Sequence, residues 1–252
     1  MVEPILKTKS LHKRFGALPV SDDVSIDLLP NEIHALIGPN GAGKTSLLKV
    51  ISGLLPPDAG QVFFEGADIT NYGQTERARL GMARTSQLTS IFPHATVLEN
   101  AILAYEAANG LPFKYFGRTN DATIDAATAA LHALGLQDRV DAFASTLSHG
   151  EQRRLELAMA LVTSPLVLIL DEPLAGTSPD ETRDLTSLLR SLKQHCSIFL
   201  IEHDMDAVFA VADRISVMVS GRIIATGPPD IIRENADVQA AYLGTEKEAE
   251  HA

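Results

Sequence analysis

Tryptophan is absent and cysteine occurs once, as Cys196. A lone cysteine cannot close an internal disulfide, so the fold must rest on its apolar core and suits a reducing compartment. Basic charge is also scarce. The chain has 21 Lys and Arg against 32 Asp and Glu, a net charge of −11, and its basic residues never run longer than pairs such as Lys13-Arg14 and Arg153-Arg154. That balance argues against a generally basic nucleic-acid-binding surface. No hydrophobic run is long enough to cross a bilayer, which takes roughly 20 residues. The least interrupted stretch, 158–170, is broken by Thr163, Ser164 and Pro165. Met1-Val2-Glu3-Pro4 shows no basic region leading into an apolar segment, so no secretory signal is expected. What remains is ordinary: 45% apolar and 21% charged residues over 252 positions, close to globular usage and unlike a disordered or fibrous chain.

Strand and helix signals alternate at both ends of the chain, and an Ala-rich helical region lies between them. Strands are expected at 5–11, 25–29, 34–37 and 62–65, with a helix at 45–51 and turn punctuation at Pro56-Pro57-Asp58-Ala59-Gly60. The middle region predicts helices at 97–107, 122–134 and 149–161, interrupted at Asn109-Gly110-Leu111-Pro112. Apolar strands return at 166–170 and 197–201 around a helix at 180–194, followed by a hairpin, 214–219 with 222–225, turning at Ser220-Gly221. Continuous apolar runs without alternation suggest parallel strands covered on both faces. The Glu-rich end, 246–252, reads as a solvated tail.

Gly38-Pro39-Asn40-Gly41-Ala42-Gly43-Lys44-Thr45 fits the G-x-x-x-x-G-K-[ST] pattern, after an apolar strand and before a helix. The glycines let the backbone curl until successive N–H groups converge on phosphate oxygens, and the helix N-terminus adds favourable potential. Lys44 is expected to reach the β and γ phosphates of a nucleotide. The Thr45 hydroxyl is expected to coordinate Mg²⁺, and Ser46 to donate a hydrogen bond to a phosphate oxygen. A bare glycine turn would not need the lysine and the hydroxyl in sequence.

A second acidic site closes the strand at 166–170. Asp171 and Glu172 follow it directly, and ligands in open α/β sheets bind beyond the C-terminal ends of strands. Asp171 is placed to hold Mg²⁺ and Glu172 to polarise an attacking water. An Asp-Glu pair alone would serve equally well as a solvated helix start. No Asn-Lys-x-Asp motif for reading guanine occurs.

Leu147-Ser148-His149-Gly150-Glu151 lies about a hundred residues beyond the phosphate loop and about twenty before Asp171. By itself it could be a helix N-cap on Ser148. In this order, the motifs resemble those of the ATP-binding cassette (ABC) ATPases, whose signature reads L-S-G-G-Q. Gln87 matches that family's glutamine loop, His203 its switch histidine and Phe15 its adenine-stacking aromatic. The resemblance extends over residues 6–243. It implies a P-loop ABC ATPase domain over residues 1–252. Residues 1–87 and 164–252 would form a nucleotide-binding core, with a mainly parallel sheet and an antiparallel β subdomain. Residues 88–163 would form a helical signature subdomain.

The resemblance further implies a nucleotide-driven dimer. ATP with Mg²⁺ would lie between Phe15, Gly38, Asn40, Gly41, Ala42, Gly43, Lys44, Thr45 and Ser46 of one subunit and Ser148, His149, Gly150 and Glu151 of the other. Glu172, His203, Gln87 and Lys44 would carry hydrolysis, and Thr45, Gln87 and Asp171 the metal. His149 and Glu151 replace the signature's Gly and Gln, and Ser178 stands where the D-loop usually has Asp.

Ala83-Arg84-Thr85-Ser86-Gln87, Thr96-Val97-Leu98-Glu99-Asn100, Ile201-Glu202-His203-Asp204-Met205 and Ala241-Tyr242-Leu243-Gly244 resemble the ATPase subunits of branched-chain amino-acid importers. The insertion at 109–120 is similar to that of the longer of that system's two types. The implied partners are a second ATPase subunit, two membrane permeases and, indirectly, an extracytoplasmic solute-binding protein, with this chain peripheral on the cytoplasmic face of the membrane. Related importers carry urea or aromatic acids. A non-transport ABC ATPase would generally add a long coiled coil or a second cassette, and a small-molecule kinase would leave Leu147, Ser148 and His203 unexplained. The loop carrying Ile91 and Phe92 is expected to receive a permease helix.

Overall fold

The computed structural model describes residues 2–85, 91–110 and 120–249. Two compact units divide the chain: residues 1–77 with 169–252, and residues 78–168.

The first unit opens with β1 (Leu6–Phe15), β2 (Leu18–Val24), β3 (Asp27–Leu28) and β4 (Ile33–Ile37), then α1 (Lys44–Ile51), β5 (Ala59–Phe64), β6 (Ala67–Asp68) and α2 (Gln74–Arg79). β1 is the hub of an antiparallel sheet and pairs with β2, β3 and β5, while β6 pairs with β5. β1 alternates buried Leu6 and Thr8 with exposed Lys7 and Lys9, the pattern of a sheet wet on one face. β2 escapes the hydropathy reading because Ser21, Asp22 and Asp23 interrupt its apolar residues.

β7 (Met82–Arg84), α3 (Val97–Ala108), α4 (Asp121–Ala133) and α5 (His149–Leu161) follow in the second unit, and β8 (Val167–Asp171) begins there. This unit starts ten residues before the expected boundary at 88, because Gly81 O accepts hydrogen bonds from the N–H groups of Leu166 and Val167 at 2.8 and 3.0 Å. That pairing ties 81–84 to the start of β8. α3 begins with a reciprocal capping box between Thr96 and Glu99. The inserted segment expected at 109–120 falls outside the described residues at 111–119.

The chain then returns to the first unit with α6 (Pro179–Leu192), β9 (Ser197–Ile201), α7 (Met205–Val211), β10 (Arg214–Val219), β11 (Arg222–Gly227), α8 (Pro229–Glu234) and α9 (Ala236–Ala249). Its central sheet runs β11-β10-β4-β9-β8. β10 and β9 flank β4 in parallel, and β11 closes one edge antiparallel to β10. All five residues are buried in each of β4, β8 and β9. Uninterrupted apolar runs therefore mark the middle of a sheet covered on both faces. The expected tail at 246 is instead helical as far as Ala249, as the end of α9.

Arg77 ties three pieces of this unit together. Its fully buried guanidinium donates to Val50 O and Ile51 O at the end of α1, to Ile69 O, and to Tyr72 O, at 2.5–3.0 Å. Carbonyls at a helix C-terminus lack intrahelical partners, so a cation there satisfies them and the helix dipole together. Burial still lowers the Arg77 pKa to about 10.

Candidate functional site

The sheet converges three strand ends on one region of the first unit. β4 runs into residues 38–43, β8 into Asp171-Glu172 and β9 into Glu202-His203.

Residues 38–43 curl between β4 and α1. Gly43 is the N-cap of α1 at φ 105°, and a Cβ there would come within 2.0 Å of Val20 O. Only glycine fits both the conformation and the space. α1 has no side-chain cap and no acidic residue in its first turn, whereas α5 and α6 both begin with capping boxes. Its first N–H groups are thus left to another acceptor. Lys44 is buried, and its Nζ donates to Gly38 O at 2.7 Å and Pro39 O at 3.1 Å. Burial lowers its pKa, while the charges of Glu172 and Asp171 raise it. Both carboxylates therefore act electrostatically on the lysine. Asn40 and Gly41 are exposed, Ala42 is buried, and Thr45 and Ser46 are half-buried at the helix start.

Asp171 ends β8 fully buried. Glu172 follows in the left-handed region at φ 51°, a costly conformation for a residue with a Cβ. It is held there by its N–H, which donates to Ile201 O at 2.9 Å, and by its carbonyl, which accepts from Ala175 N at 3.2 Å. The strained turn leaves the Glu172 carboxylate about a third exposed, 4.0 Å from Nδ1 of the exposed His203.

Glu202 received no role from the sequence. Its buried carboxylate accepts from Leu174 N at 2.6 Å and His203 N at 3.2 Å, which locks the turn after β8 to the end of β9. Burial pushes its pKa up, against the two amides that stabilise the anion. A carboxylate directly after an apolar strand was the available signal, the same one that marked Asp171.

Phe15 sits at the end of β1, half exposed. Gln87 lies outside the described residues. The remaining candidates, Ser148, His149, Gly150 and Glu151, belong to the second unit. Ser148 is the N-cap of α5: its Oγ accepts from Glu151 N at 3.3 Å, and its own N–H donates to Glu151 Oε2 at 2.8 Å. Arg139 Nε lies 3.0 Å from Glu151 Oε1. The Ser148 amide, and then Arg139, hold the Glu151 carboxyl below its ordinary range. His149 is exposed. Ser178 behaves as Ser148 does, capping α6 reciprocally with Glu181. Two of the three departures from the resembled pattern thus have a local explanation, since Glu151 and Ser178 complete capping boxes.

Among the described residues no cluster of three or more His, Cys, Asp and Glu could hold a metal by itself, and no helix is long and apolar enough to cross a membrane. An uncapped helix N-terminus, a buried ammonium and a carboxylate about a third exposed beyond parallel strands suit a phosphate anhydride and a water that attacks it.

Comparison with known proteins agrees with this chemistry. Residues 21–175 match the family described as ABC transporter, and residues 222–248 match one described as branched-chain amino acid ATP-binding cassette transporter. The chain is 39% identical to the high-affinity branched-chain amino acid transport ATP-binding protein LivG of Escherichia coli K12, over 97% of this chain and 99% of that protein. It is 36% identical to BraF of Pseudomonas aeruginosa, a protein of the same description, over 97% of this chain and 99% of that one. An ATP-binding cassette of an ABC transporter, solved in an ADP conformation, superposes with a TM-score of 0.88 at 33% identity, covering 96% of this chain and 100% of the other. A nucleotide-free cassette superposes at 0.86 and 32% identity, covering 95% and 99%. The chain belongs to the ABC transporter family and is an ATP-binding, ATP-hydrolysing subunit of that kind.

Proposed function

We propose that this chain is the motor subunit of a membrane importer for branched-chain amino acids, working as a pair of ATPase subunits on two permeases. The names of its relatives and the match at 222–248 support the solute class. The observation that carries the motor reading is the meeting of three strand ends, with buried Lys44 after β4, Asp171 and Glu172 after β8, and His203 after β9, 4.0 Å from Glu172. In this reading residues 38–46 bind the phosphates and Phe15 stacks on the adenine. Lys44 neutralises β and γ phosphate charge. Glu172 orients and deprotonates the attacking water, and His203, 4.0 Å from it, steadies the γ-phosphate.

Magnesium would supply charge neutralisation on the phosphate oxygens. The Thr45 hydroxyl and Asp171 carboxylate, hard oxygen donors, suit such an ion, with Gln87 as a further ligand. Ser148, His149 and Gly150 would meet the γ-phosphate of a partner subunit's ATP. Glu151 would stay turned toward Ser148 and Arg139, where its charge is already balanced. The chain would lie peripherally on the cytoplasmic side of the membrane, with an extracytoplasmic binding protein choosing the solute. Residues 78–168 would be the helical subdomain that meets the permeases.

Glu172→Gln tests the reading. Nucleotide should still bind while turnover falls by at least the 10²–10⁴-fold typical of a lost proton acceptor. Adding ATP should then trap a dimer, seen as a doubled mass by light scattering. Normal hydrolysis by this variant would remove Glu172 from the role of base. Uptake of leucine, isoleucine and valine into vesicles holding the assembled complex tests the solute.

A further inference from the structure

The segment that carries Glu172 is fastened to the end of β9 by a backbone bond and a side-chain bond. Glu172 N donates to Ile201 O at 2.9 Å, and Leu174 N donates to Oε1 of Glu202 at 2.6 Å. Ile201 and Glu202 are consecutive, so a side-chain acceptor follows directly on a backbone one. The Leu174 carbonyl accepts in turn from the Thr177 hydroxyl at 2.7 Å, next to the Ser178 cap of α6. Leu174 thus joins the end of β8 to the start of α6.

Glu202 faces the histidine as well. Its other oxygen, Oε2, accepts from His203 N at 3.2 Å and lies 3.8 Å from Nδ1 of the same residue. That Nδ1 is 4.0 Å from Oε1 of Glu172. The imidazole therefore stands between two carboxylates in different surroundings. Glu172 is about a third exposed and open to a water, whereas Glu202 is fully buried and meets only protein. A buried carboxylate is costly unless its oxygens are used, and here each oxygen has an amide. An apolar side chain at 202 would avoid that cost but leave the amide of buried Leu174 without its acceptor.

We propose that Glu202 is a positioning residue for ATP hydrolysis: its one carboxylate holds both the turn that presents Glu172 and the backbone from which His203 projects. The inference rests on reading Glu172 as the base. Glu172 lies in left-handed backbone at φ 51°, a costly conformation that persists only where its surroundings impose it. Freed at Leu174, the turn can relax toward ordinary backbone angles and carry the Glu172 carboxylate away from the attacking water. A misplacement of about 1 Å is enough to cost about 10²-fold in rate. The phosphate loop follows a different strand, β4, so nucleotide binding is spared.

Glu202→Ala in the full-length chain should lower kcat for ATP hydrolysis about 10- to 100-fold. The dissociation constant for a fluorescent ATP analogue with Mg²⁺ should stay at the wild-type value. Unchanged kcat overturns the proposal, and so does a matching loss of affinity, which would make Glu202 merely structural. Glu202→Gln keeps an oxygen for Leu174 N and should recover part of the rate. A glutamine variant as slow as the alanine variant overturns the hold on Leu174. Should neither variant fold, the wild-type chain decides. By NMR its Leu174 amide should exchange slowly, and exchange at the rate of an open loop overturns the hold. Glu172→Gln, measured alongside, separates the two readings. Its residual hydrolysis should lose much less to Glu202→Ala than the wild-type rate does, because the base acted through is already gone. An equal loss overturns the proposal. Normal hydrolysis by Glu172→Gln alone defeats the base reading itself, whereas lost hydrolysis there with none lost in Glu202→Ala defeats only the positioning role.

Discussion

Lys44 shows how one residue joins fold and chemistry. Its ammonium is desolvated, hydrogen-bonded to two carbonyls of its own loop, and stabilised by two acids from another strand. A phosphate group offers stronger, charge-assisted acceptors than those carbonyls. Lys44→Ala is therefore expected to weaken ATP binding at least tenfold and to reduce hydrolysis to background, as read by equilibrium titration and phosphate release. The alanine leaves the buried Asp171 carboxylate without that cation, so a loss of stability in a denaturant titration is expected beside the lost binding. Cys196 is the opposite case. Burial raises its thiol to about 11, so it should resist thiol reagents in the native chain and react only after denaturation.

At the scale of elements, Arg77 is the joint between α1 and the segment at 69–72. Arg77→Ala leaves carbonyls at the end of α1 without their donor and should cost about 3 kcal/mol or more in a denaturant titration. Arg77→Lys cannot reach several acceptors at once and should recover only part of that.

In the second unit, buried Asn100 holds a turn in place. Its Oδ1 accepts from Phe92 N at 2.7 Å, and its Nδ2 donates to Phe92 O at 3.1 Å. The Phe92 ring is thereby left 53% exposed, and Phe143, beside the backbone pairing of 93–95 with 144–145, is 54% exposed. Exposed aromatics on rigid backbone suit an apolar helix of a partner. Ile91→Asp combined with Phe92→Asp should leave ATP binding by the isolated subunit intact while the subunit no longer copurifies with its permeases. Retained transport in reconstituted vesicles would place the docking surface elsewhere.

For the whole molecule, pH is an informative perturbation. His34 is fully buried, with Nδ1 2.7 Å from Asp27 O and Nε2 2.8 Å from Ser216 Oγ, and its ring is edge-on to Phe199. Burial, reinforced by Arg214, depresses its pKa from 6.5. The unfolded chain thus takes up a proton below that value which the folded chain refuses. Stability from this group is complete above 6.5 and falls by about 1.4 kcal/mol per pH unit below it. Glu202 acts in the opposite sense: its raised pKa lets the folded state bind a proton first, so acidification favours folding there. The two are separated by comparing slopes. Denaturation midpoints of His34→Gln should decline less steeply between pH 6.5 and 5 than those of the wild-type chain. Parallel slopes would mean that His34 titrates normally in the folded state.

The sequence by itself determined the elements whose signal is local. The uninterrupted apolar runs became β4, β8 and β9, and the spacing of glycines before Lys44 required a loop that only glycine can form. The order of the motifs was enough for the family. What depends on residues far apart was decided by tertiary structure. β2 owes its existence to pairing with β1, since its own residues are half polar. Arg77 reads as an ordinary surface charge until α1 ends against it. Glu202 gains its purpose from the turn after β8. Hydropathy and turn chemistry act over a few neighbouring residues and are written in the order of the chain. Charge pairing, buried hydrogen bonds and steric closure act through space, between partners whose meeting only the folded chain arranges.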